Sequence, residues 1–358
     1  MKSATVVFSI DSTAIDSVLI HRAAAVILSG GLVAFPTETV YGLGANALDA
    51  QAVRGIFAAK ERPAYDPLIV HLADVSDLGR AACALSPLVL DLAAHFWPGP
   101  LTLVLPRCPT VPLEVTAGGE TVAVRVPAHP VAQALISAAG VPIAAPSANR
   151  FGRLSPTRAA DVLADLDGRI DVLLDGGPTI VGVESTVLSL VGEPAILRPG
   201  GVSREALEAI LGPLAVSEHP VLPAEELPAS PGLLLQHYAP RAPLILYKGA
   251  PAVMREALGA EALRYQQSHV RVGLLVADED LPFFGGQGLL VETAGSVDHL
   301  ETVARQLFSA LRALDAAGAE VILARDFGVA GLGLAIRDRL TRAAGGRVVE
   351  VPLLEDEG

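Results

Sequence analysis

The sequence of 358 residues is poor in cysteine and in aromatic side chains, and it lacks long apolar runs. Its only cysteines are Cys83 and Cys108, with no CxxC pair, so we expect neither a disulfide framework nor a zinc site. Both thiols are expected to be ordinary core or surface side chains in a reducing cytoplasm. The N-terminus lacks a clean apolar core with a cleavage site, and no later run of about 18 apolar residues follows. Neither a secretion signal nor a membrane span is therefore predicted.

Basic charge is also scarce. The formal net charge of -13 opposes indiscriminate binding of nucleic acid, which needs a basic surface, although a local cationic pocket is still possible. An aromatic content of 4% leaves few platforms on which bases could stack. The hydrophobic content of 51% fits a sheet-rich α/β core.

The apolar pattern divides the chain once. Residues 1–212 alternate strands with helices, which indicates an α/β domain. Residues 213–243 carry seven prolines, too many for a packed helix or a central strand, so this stretch is predicted to be an interdomain linker. Residues 244–358 again alternate strands and helices and predict a smaller Rossmann-like domain.

The segment KERPAYDPLIVHL at residues 60–72 places cations beside a buried-strand pattern. The helix before it is predicted to begin near Asp49 and to end by Arg62, because Pro63 disfavours helix in the residue that precedes it. Lys60 falls on the apolar stripe of that helix. The stripe consists of Val53, Ile56 and Phe57. Lys60 and Arg62 either complement the helix dipole or form a clamp for phosphate.

Further polar side chains stand at strand ends or on strand faces. In FPTETVYGLGANA (35–47), Thr37 lies in a glycine-containing loop that lacks the GxxxxGK[ST] pattern of a P-loop. Alternation in TVAVR puts Thr121 and Arg125 on one face of a strand. His71 lies in a different predicted strand, PLIVHL, and a lone histidine in a strand more often has a structural role than a catalytic one.

Later strands add hydroxyl, amide and guanidinium groups. The strand in PIAAPSANR runs directly into Ser147 and Asn149, while Ser185 lies within a later strand and Arg198 ends another. No GxSxG, HExxH or CxxC motif is present. A site of lysine, arginine, serine and asparagine without an evident nucleophile suits phosphoryl or nucleotidyl transfer, in which a protein mainly positions groups and stabilises charge.

Taken together, these motifs resemble those of two-domain threonylcarbamoyl-AMP synthases, whose catalytic part is a YrdC-like domain. The matching segments include FPTETVYGLGANA, KERPAYDPLIVHL, PIAAPSAN, DGGPTIVGVESTV, LRPGG and SPGLLLQHYAP. The resemblance implies a YrdC-like twisted mixed sheet with helices, followed by the Rossmann-like domain. It also implies a nucleotidyltransferase that makes threonylcarbamoyl-adenylate and pyrophosphate from L-threonine, bicarbonate or CO₂, and ATP.

The same resemblance implies roles for individual residues. The residues linked to ATP binding and catalysis are Lys60, Arg62, Ser147 and Asn149. Further nucleotide contacts are Thr121, Ser155, Arg198 and, in the linker, Tyr238, which is expected to fold over the pocket. The residues on the L-threonine side are Thr37, His71, Arg125, Ala145 and Ser185. Mg²⁺ would arrive with ATP, and no dedicated protein site for it is predicted. Asp66 departs from many relatives, which carry Asn or Lys there.

The resemblance also defines partners and two alternatives. A separate transferase complex would pass the threonylcarbamoyl group to ANN-decoding tRNAs. Because the net charge is negative and no membrane span is predicted, this chain is expected to form no stable complex with nucleic acid or membrane. One alternative is a non-catalytic module that binds RNA or associates with translation. The other is the carbamoyl-adenylate chemistry of hydrogenase-maturation proteins, whose acylphosphatase-like part and zinc motifs are absent from this sequence.

Overall fold

The computed structural model describes residues 4–216, 238–285 and 288–352. The chain divides into two units. The first contains the described residues up to 151 and residues 155–216, and the second contains residues 152–154 and the described residues from 238 onward. Most of the predicted linker, residues 217–237, lies outside the described residues.

An 11-stranded sheet forms the framework of the first unit. Its strands are β1 (Val6–Ser9), β2 (Val33–Phe35), β3 (Gly42–Asn46), β4 (Ile69–His71), β5 (Leu101–Pro106), β6 (Thr121–Arg125), β7 (Ile143–Ala144), β8 (Val172–Asp175), β9 (Thr186–Ser189), β10 (Ala195–Arg198) and β11 (Ala215–Val216). They lie in the order β1-β8-β2-β3-β7-β4-β6-β5-β9-β10-β11. Parallel pairs such as β4 with β6 alternate with antiparallel pairs such as β5 with β6, so the sheet is mixed, as predicted.

Six α-helices of the described residues pack in this unit. They are α1 (Ser17–Leu28), α2 (Ala50–Lys60), α3 (Pro87–Phe96), α4 (Pro130–Ala139), α5 (Ala159–Leu166) and α6 (Arg204–Leu211). The sequence predicted the start of α2, where the Asp49 side chain accepts hydrogen bonds from two main-chain N–H groups of the first turn. The helix ends at Lys60, and Glu61 follows in the left-handed conformation with φ 55°.

Strands β4 and β6 are apolar on both faces. One face joins the main core through Val70, Val122 and Val124. The other face contributes Ile69 and Ala123 to a smaller cluster with Val104 and Val187. Because side chains alternate along a strand, His71 and Arg125 belong to the face of this smaller cluster.

The second unit is built on a five-stranded parallel sheet. Its strands are β12 (Leu244–Lys248), β13 (Val272–Val276), β14 (Leu290–Thr293), β15 (Val321–Arg325) and β16 (Val348–Glu350), in the order β14-β13-β15-β12-β16. The helices between them are α7 (Pro251–Gln267), α8 (Leu281–Phe284), α9 (Leu300–Ala316) and α10 (Gly333–Ala344). This alternation agrees with the predicted Rossmann-like domain.

Cys83 and Cys108 form a disulfide, so the expectation of two unpaired thiols is wrong. Main-chain hydrogen bonds of 2.9 Å join Cys83 N to Pro106 O and Cys108 N to Ala81 O. These bonds bring the two Cα atoms to 5.1 Å although 25 residues separate them in sequence. Cysteine spacing alone does not reveal such pairing. The prediction of a reducing compartment was based on unpaired cysteines, so the disulfide removes that argument for it.

Within residues 4–216, 238–285 and 288–352, no helix combines the length and the apolar character that a membrane crossing requires.

Candidate active site

Lys60 brings a buried ammonium group to the loop that follows β7. Its side chain is 1% exposed, and Nζ donates hydrogen bonds of 2.5 Å to the main-chain oxygens of Ser147 and Asn149. Burial lowers the pKa of Lys60 well below its usual value, and the charge of Arg62 lowers it further. The lysine at the end of α2 is thus held against the serine and asparagine that the sequence grouped with it.

Arg62 is anchored by Asp66. The guanidinium Nη2 lies 2.8 Å from Oδ2 of Asp66, and Nε donates to the main-chain oxygen of the same residue at 3.2 Å. Burial raises the pKa of Asp66, while the charges of Arg62, Lys60 and Arg198 oppose that rise. Three cations therefore act on the Asp66 carboxylate, and Asp165 also acts on Lys60. Lysine and arginine side chains gathered in this way suit an anionic ligand such as phosphate.

The ends of adjacent strands hold His71 and Arg125. The two residues are register partners in the parallel pair β4 and β6, and Ala145 joins them because its N–H donates to Ile69 O at 2.9 Å. Burial, followed by the charge of Arg125, lowers the pKa of His71 to about 3. The imidazole is consequently neutral near pH 7, which leaves Arg125 as the cation of this pair.

Arg125 is buried and held on three sides. Nε donates to Gly99 O at 3.2 Å, Nη1 donates to Thr39 Oγ1 at 3.0 Å, and Nη2 lies 2.7 Å from Oε2 of Glu38. Thr37 supports this arrangement, since its Oγ1 lies 2.8 Å from Thr39 Oγ1. Within the described residues, Nη1 uses one of its two N–H groups and Nη2 makes no well-directed hydrogen bond, so both Nη atoms keep N–H groups that can bind a carboxylate.

Ser185 and Arg198 meet beside the start of β9. Arg198 Nη2 donates to the main-chain oxygen of Ser185 at 2.9 Å, and Ser185 Oγ lies 2.7 Å from Thr102 Oγ1. Gly200 allows this contact, because a Cβ at that position would lie 2.3 Å from Glu184 O. Ser155 is also buried here, and its hydroxyl donates to the Glu184 carboxylate.

With one exception, the site residues expected from the sequence all belong to the first unit. Thr121 and Arg125 mark the two ends of β6, four residues or about 13 Å apart at the usual strand rise. The exception is Tyr238, which is fully buried in the second unit. Its ring lies 5.8 Å from the ring of Phe308 and 5.0 Å from the guanidinium carbon of Arg339. The roles assigned to all these residues stay predictions.

Sequence reasoning did not identify three buried polar groups of this region, Glu38, Thr102 and Glu184. Within the described residues, neither oxygen of the Glu38 carboxylate accepts a well-directed hydrogen bond, although Arg125 lies beside it. The available signals were a carboxylate between two threonines in PTET and a single threonine in the apolar strand LTLVL. Each is weak alone, because its partner lies far away in the sequence.

Comparison with known proteins covers both units. A family model described as "Telomere recombination" matches residues 25–200, and one described as "Threonylcarbamoyl-AMP synthase, C-terminal domain" matches residues 202–345. The threonylcarbamoyl-AMP synthase of Bacillus subtilis is 48% identical, with 92% of this chain and 94% of the relative covered. The threonylcarbamoyl-AMP synthase of Pyrococcus abyssi is 44% identical, with 93% and 96% covered.

Solved structures agree with the sequence matches. The crystal structure of P. abyssi Sua5 complexed with L-threonine superposes with a TM-score of 0.91 at 42% identity, covering 97% of this chain and 100% of the other. The family expected from the sequence motifs is confirmed: the chain belongs to the threonylcarbamoyl-AMP synthase family.

Proposed function

We propose that this protein makes threonylcarbamoyl-adenylate and pyrophosphate from L-threonine, bicarbonate and ATP. The observation that carries the proposal is the buried ammonium of Lys60, which is held against the Ser147–Asn149 loop beside Arg62. Burial and the neighbouring Arg62 disfavour the charged form of Lys60, so an anionic triphosphate bound here would stabilise the ammonium. Family membership supports the same reaction.

Thr121 and Arg125 mark the two ends of one face of β6, and each end suits one of the two substrates. Lys60 and Arg62 supply positive charge for the phosphates of ATP, with Thr121 as a hydroxyl partner. Arg198 hydrogen-bonds to Ser185 at the start of β9 while its charge also acts on Asp66, so it would contact the nucleotide between the two ends. Arg125 supplies a fork for the carboxylate of L-threonine, and the neutral His71 adds no second positive charge beside it. The span of about 13 Å along β6 is long enough to separate an amino acid from the outer phosphates of a nucleotide.

The chemistry needs positioning more than a covalent enzyme intermediate. The neutral amine of threonine either attacks CO₂ and loses a proton or attacks bicarbonate with loss of water, and both routes form a carbamate. A carbamate oxygen then attacks the α-phosphorus of ATP, and pyrophosphate leaves with the bond electrons. Two anions must approach each other in the second step, so the buried cations lower its barrier by neutralising charge.

Mg²⁺ enters this reaction as the companion of ATP. Within the described ranges, no group of three His, Cys, Asp or Glu side chains is placed to hold a metal ion. We therefore assign the ion no protein ligands and base no step on it. Downstream, the product would serve a separate transferase complex that modifies adenosine in ANN-decoding tRNAs.

Mass spectrometry of the purified protein with ATP, Mg²⁺, bicarbonate and L-threonine tests the reaction. We expect threonylcarbamoyl-AMP and pyrophosphate, with both lost when either threonine or bicarbonate is omitted. Lys60→Met keeps an unbranched side chain that is one atom shorter and removes the charge, and it is expected to abolish both products. Arg54→Met, which alters an exposed arginine of the same helix, is the matched control. Product formation by a folded Lys60→Met protein would contradict the role given to Lys60.

A further inference from the structure

The second unit contains a cavity of about 490 Å³ at the carboxyl ends of its parallel strands. Its lining includes Lys248 and Gly249 after β12, Arg325 and Asp326 at β15, and Glu350 at β16. Small-molecule sites usually measure about 300–1,000 Å³, so the cavity has the size of a ligand site. None of the residues assigned to ATP or L-threonine lines this cavity.

The direction of the crossovers changes at this position. From β12 the chain moves towards the β14 edge of the sheet to reach β13, whereas from β15 it moves towards the opposite edge to reach β16. Right-handed crossovers then put α7 and α10 on opposite faces. The neighbours β12 and β15 therefore form a topological switch point, the place where open parallel sheets bind ligands.

Two cationic groups of the lining have bonding capacity to spare. Arg325 is 5% exposed, with Nη1 2.7 Å from Asp280 Oδ2 and Nε donating to Asp326 O at 2.9 Å. Among the described residues, no acceptor is bound to its Nη2 or to the ammonium of Lys248. A buried arginine with an unused nitrogen at a cavity wall indicates that an anion belongs there.

The first turn of α7 contributes to the same wall. This 17-residue helix begins at Pro251 directly after β12, and its N-cap residue, Ala250, offers no side-chain hydrogen bond. Pro251 and Met254 of the first turn line the cavity. Uncapped N–H groups and the positive end of the helix dipole add to the attraction for a negative charge.

Carboxylates surround the arginines of the cavity. Asp280 is shared between Arg325 and Arg255, whose Nη1 lies 3.3 Å away, and Glu279 also interacts with the charge of Arg325. Asp326 is matched by Arg337, which donates from Nε at 2.9 Å. Asp280 and Asp326 are therefore each already engaged by an arginine.

A carboxylate and an apolar wall complete the cavity. Glu350 is the register partner of Lys248 in the parallel pair β12 and β16, and it is exposed and offers acceptors for hydroxyl groups. Glu279 accepts from the hydroxyl of Ser296 and also interacts with the charge of Arg325. The apolar part of the wall consists of Met254, Val297, Phe327 and Val351. Cations, a hydroxyl acceptor and an apolar surface in one cavity match the phosphate, the sugar and the base of a nucleotide.

We propose that this cavity binds a nucleoside phosphate. The phosphate lies against Lys248, Arg325 and the first turn of α7, the sugar hydroxyls face Glu350, and the base packs on the apolar wall. The site is separate from the ATP site proposed for the first unit, and it gives the second unit a ligand of its own.

The scarcity of lysine makes a local test possible. Lys2, Lys60 and Lys248 are the only lysines among the 26 basic residues of the chain, so amine acetylation followed by mass spectrometry reports on Lys248 almost in isolation. Saturating AMP is expected to slow acetylation of Lys248 in the full-length protein, whereas adenosine and inorganic phosphate at the same concentration are not. Unchanged labelling with AMP would overturn the proposal. Equal protection by inorganic phosphate would overturn the assignment of a nucleoside.

Equilibrium dialysis with AMP provides the second measurement. Lys248→Gln removes one charged hydrogen bond and is expected to weaken binding at this cavity about 10–100-fold. The control is Arg264→Gln, which removes an exposed cation of the same helix, α7, outside the cavity. Wild-type affinity and stoichiometry in Lys248→Gln would refute the site. Neither measurement requires catalysis, so both remain informative if no threonylcarbamoyl-AMP is formed.

Discussion

Replacement of Arg62 by alanine is expected to destabilise the first unit as well as to stop adenylate formation. The guanidinium lies 2.8 Å from Asp66, and the side chains of the pair are 2% and 0% exposed. Removal of one partner from a buried ion pair costs about 3–5 kcal/mol, because the remaining charge loses its compensation. Since a domain of this size loses about 2–4 °C per kcal/mol, the Tm should fall by about 6–20 °C. Lys60 and Arg198 also act on Asp66, so we expect the lower half of that range.

Calorimetry of the full-length protein is the assay, because the two units can unfold in separate transitions. The Arg62→Ala/Asp66→Ala double variant is expected to regain part of the loss, with a coupling energy above about 1 kcal/mol. Arg54→Ala removes an exposed ion pair with Glu114 and should cost less than about 1 kcal/mol. Additive effects of the two substitutions, or a loss in Arg62→Ala no larger than in Arg54→Ala, would refute this account of Asp66.

Three further predictions concern other parts of the first unit. Arg125→Lys loses the guanidinium fork and should raise the KM for threonine about 10–100-fold with little change in the KM for ATP; equal changes in both would contradict its role. His71 has a pKa of about 3 when folded against 6.5 unfolded, so its contribution to stability is complete above pH 6.5 and is lost as the pH falls towards 3. His71→Gln should therefore flatten the fall of the Tm between pH 6.5 and 4, and an unchanged slope would argue against a neutral buried imidazole. Cys83→Ser opens the bond to Cys108 and should cost about 2–4 kcal/mol, measured by urea unfolding without reductant; an unchanged midpoint would contradict a formed disulfide.

Local sequence patterns predicted the elements well, and for physical reasons. Helix α2 was bounded by an N-cap at Asp49 and by a proline after Arg62, both of which act within one turn. The inward position of Lys60 followed from helical spacing alone, since the same spacing buries Ile56. The faces of β6 followed from strict alternation.

Contacts between distant segments could not be predicted in the same way. The disulfide depends on a pairing of the backbone around Cys83 and Cys108, and the contact of Glu38 with Arg125 depends on a loop placed against β6. Neither leaves a local pattern in the sequence. Asp66 was noted only as a departure from relatives, although it is the buried counterion of Arg62.

The pairing of β1 with β8 has a consequence for synthesis of the chain. Val6 lies opposite Val172, and β8 also separates β1 from β2. At about 5–20 residues per second, β1 leaves the ribosome about 10–30 s before its partner strand exists. During that interval β1 and β2 both present open edges, which can pair with other nascent chains. A chain that stops before β8 is expected to aggregate, even though it already contains Lys60, Arg62 and Arg125.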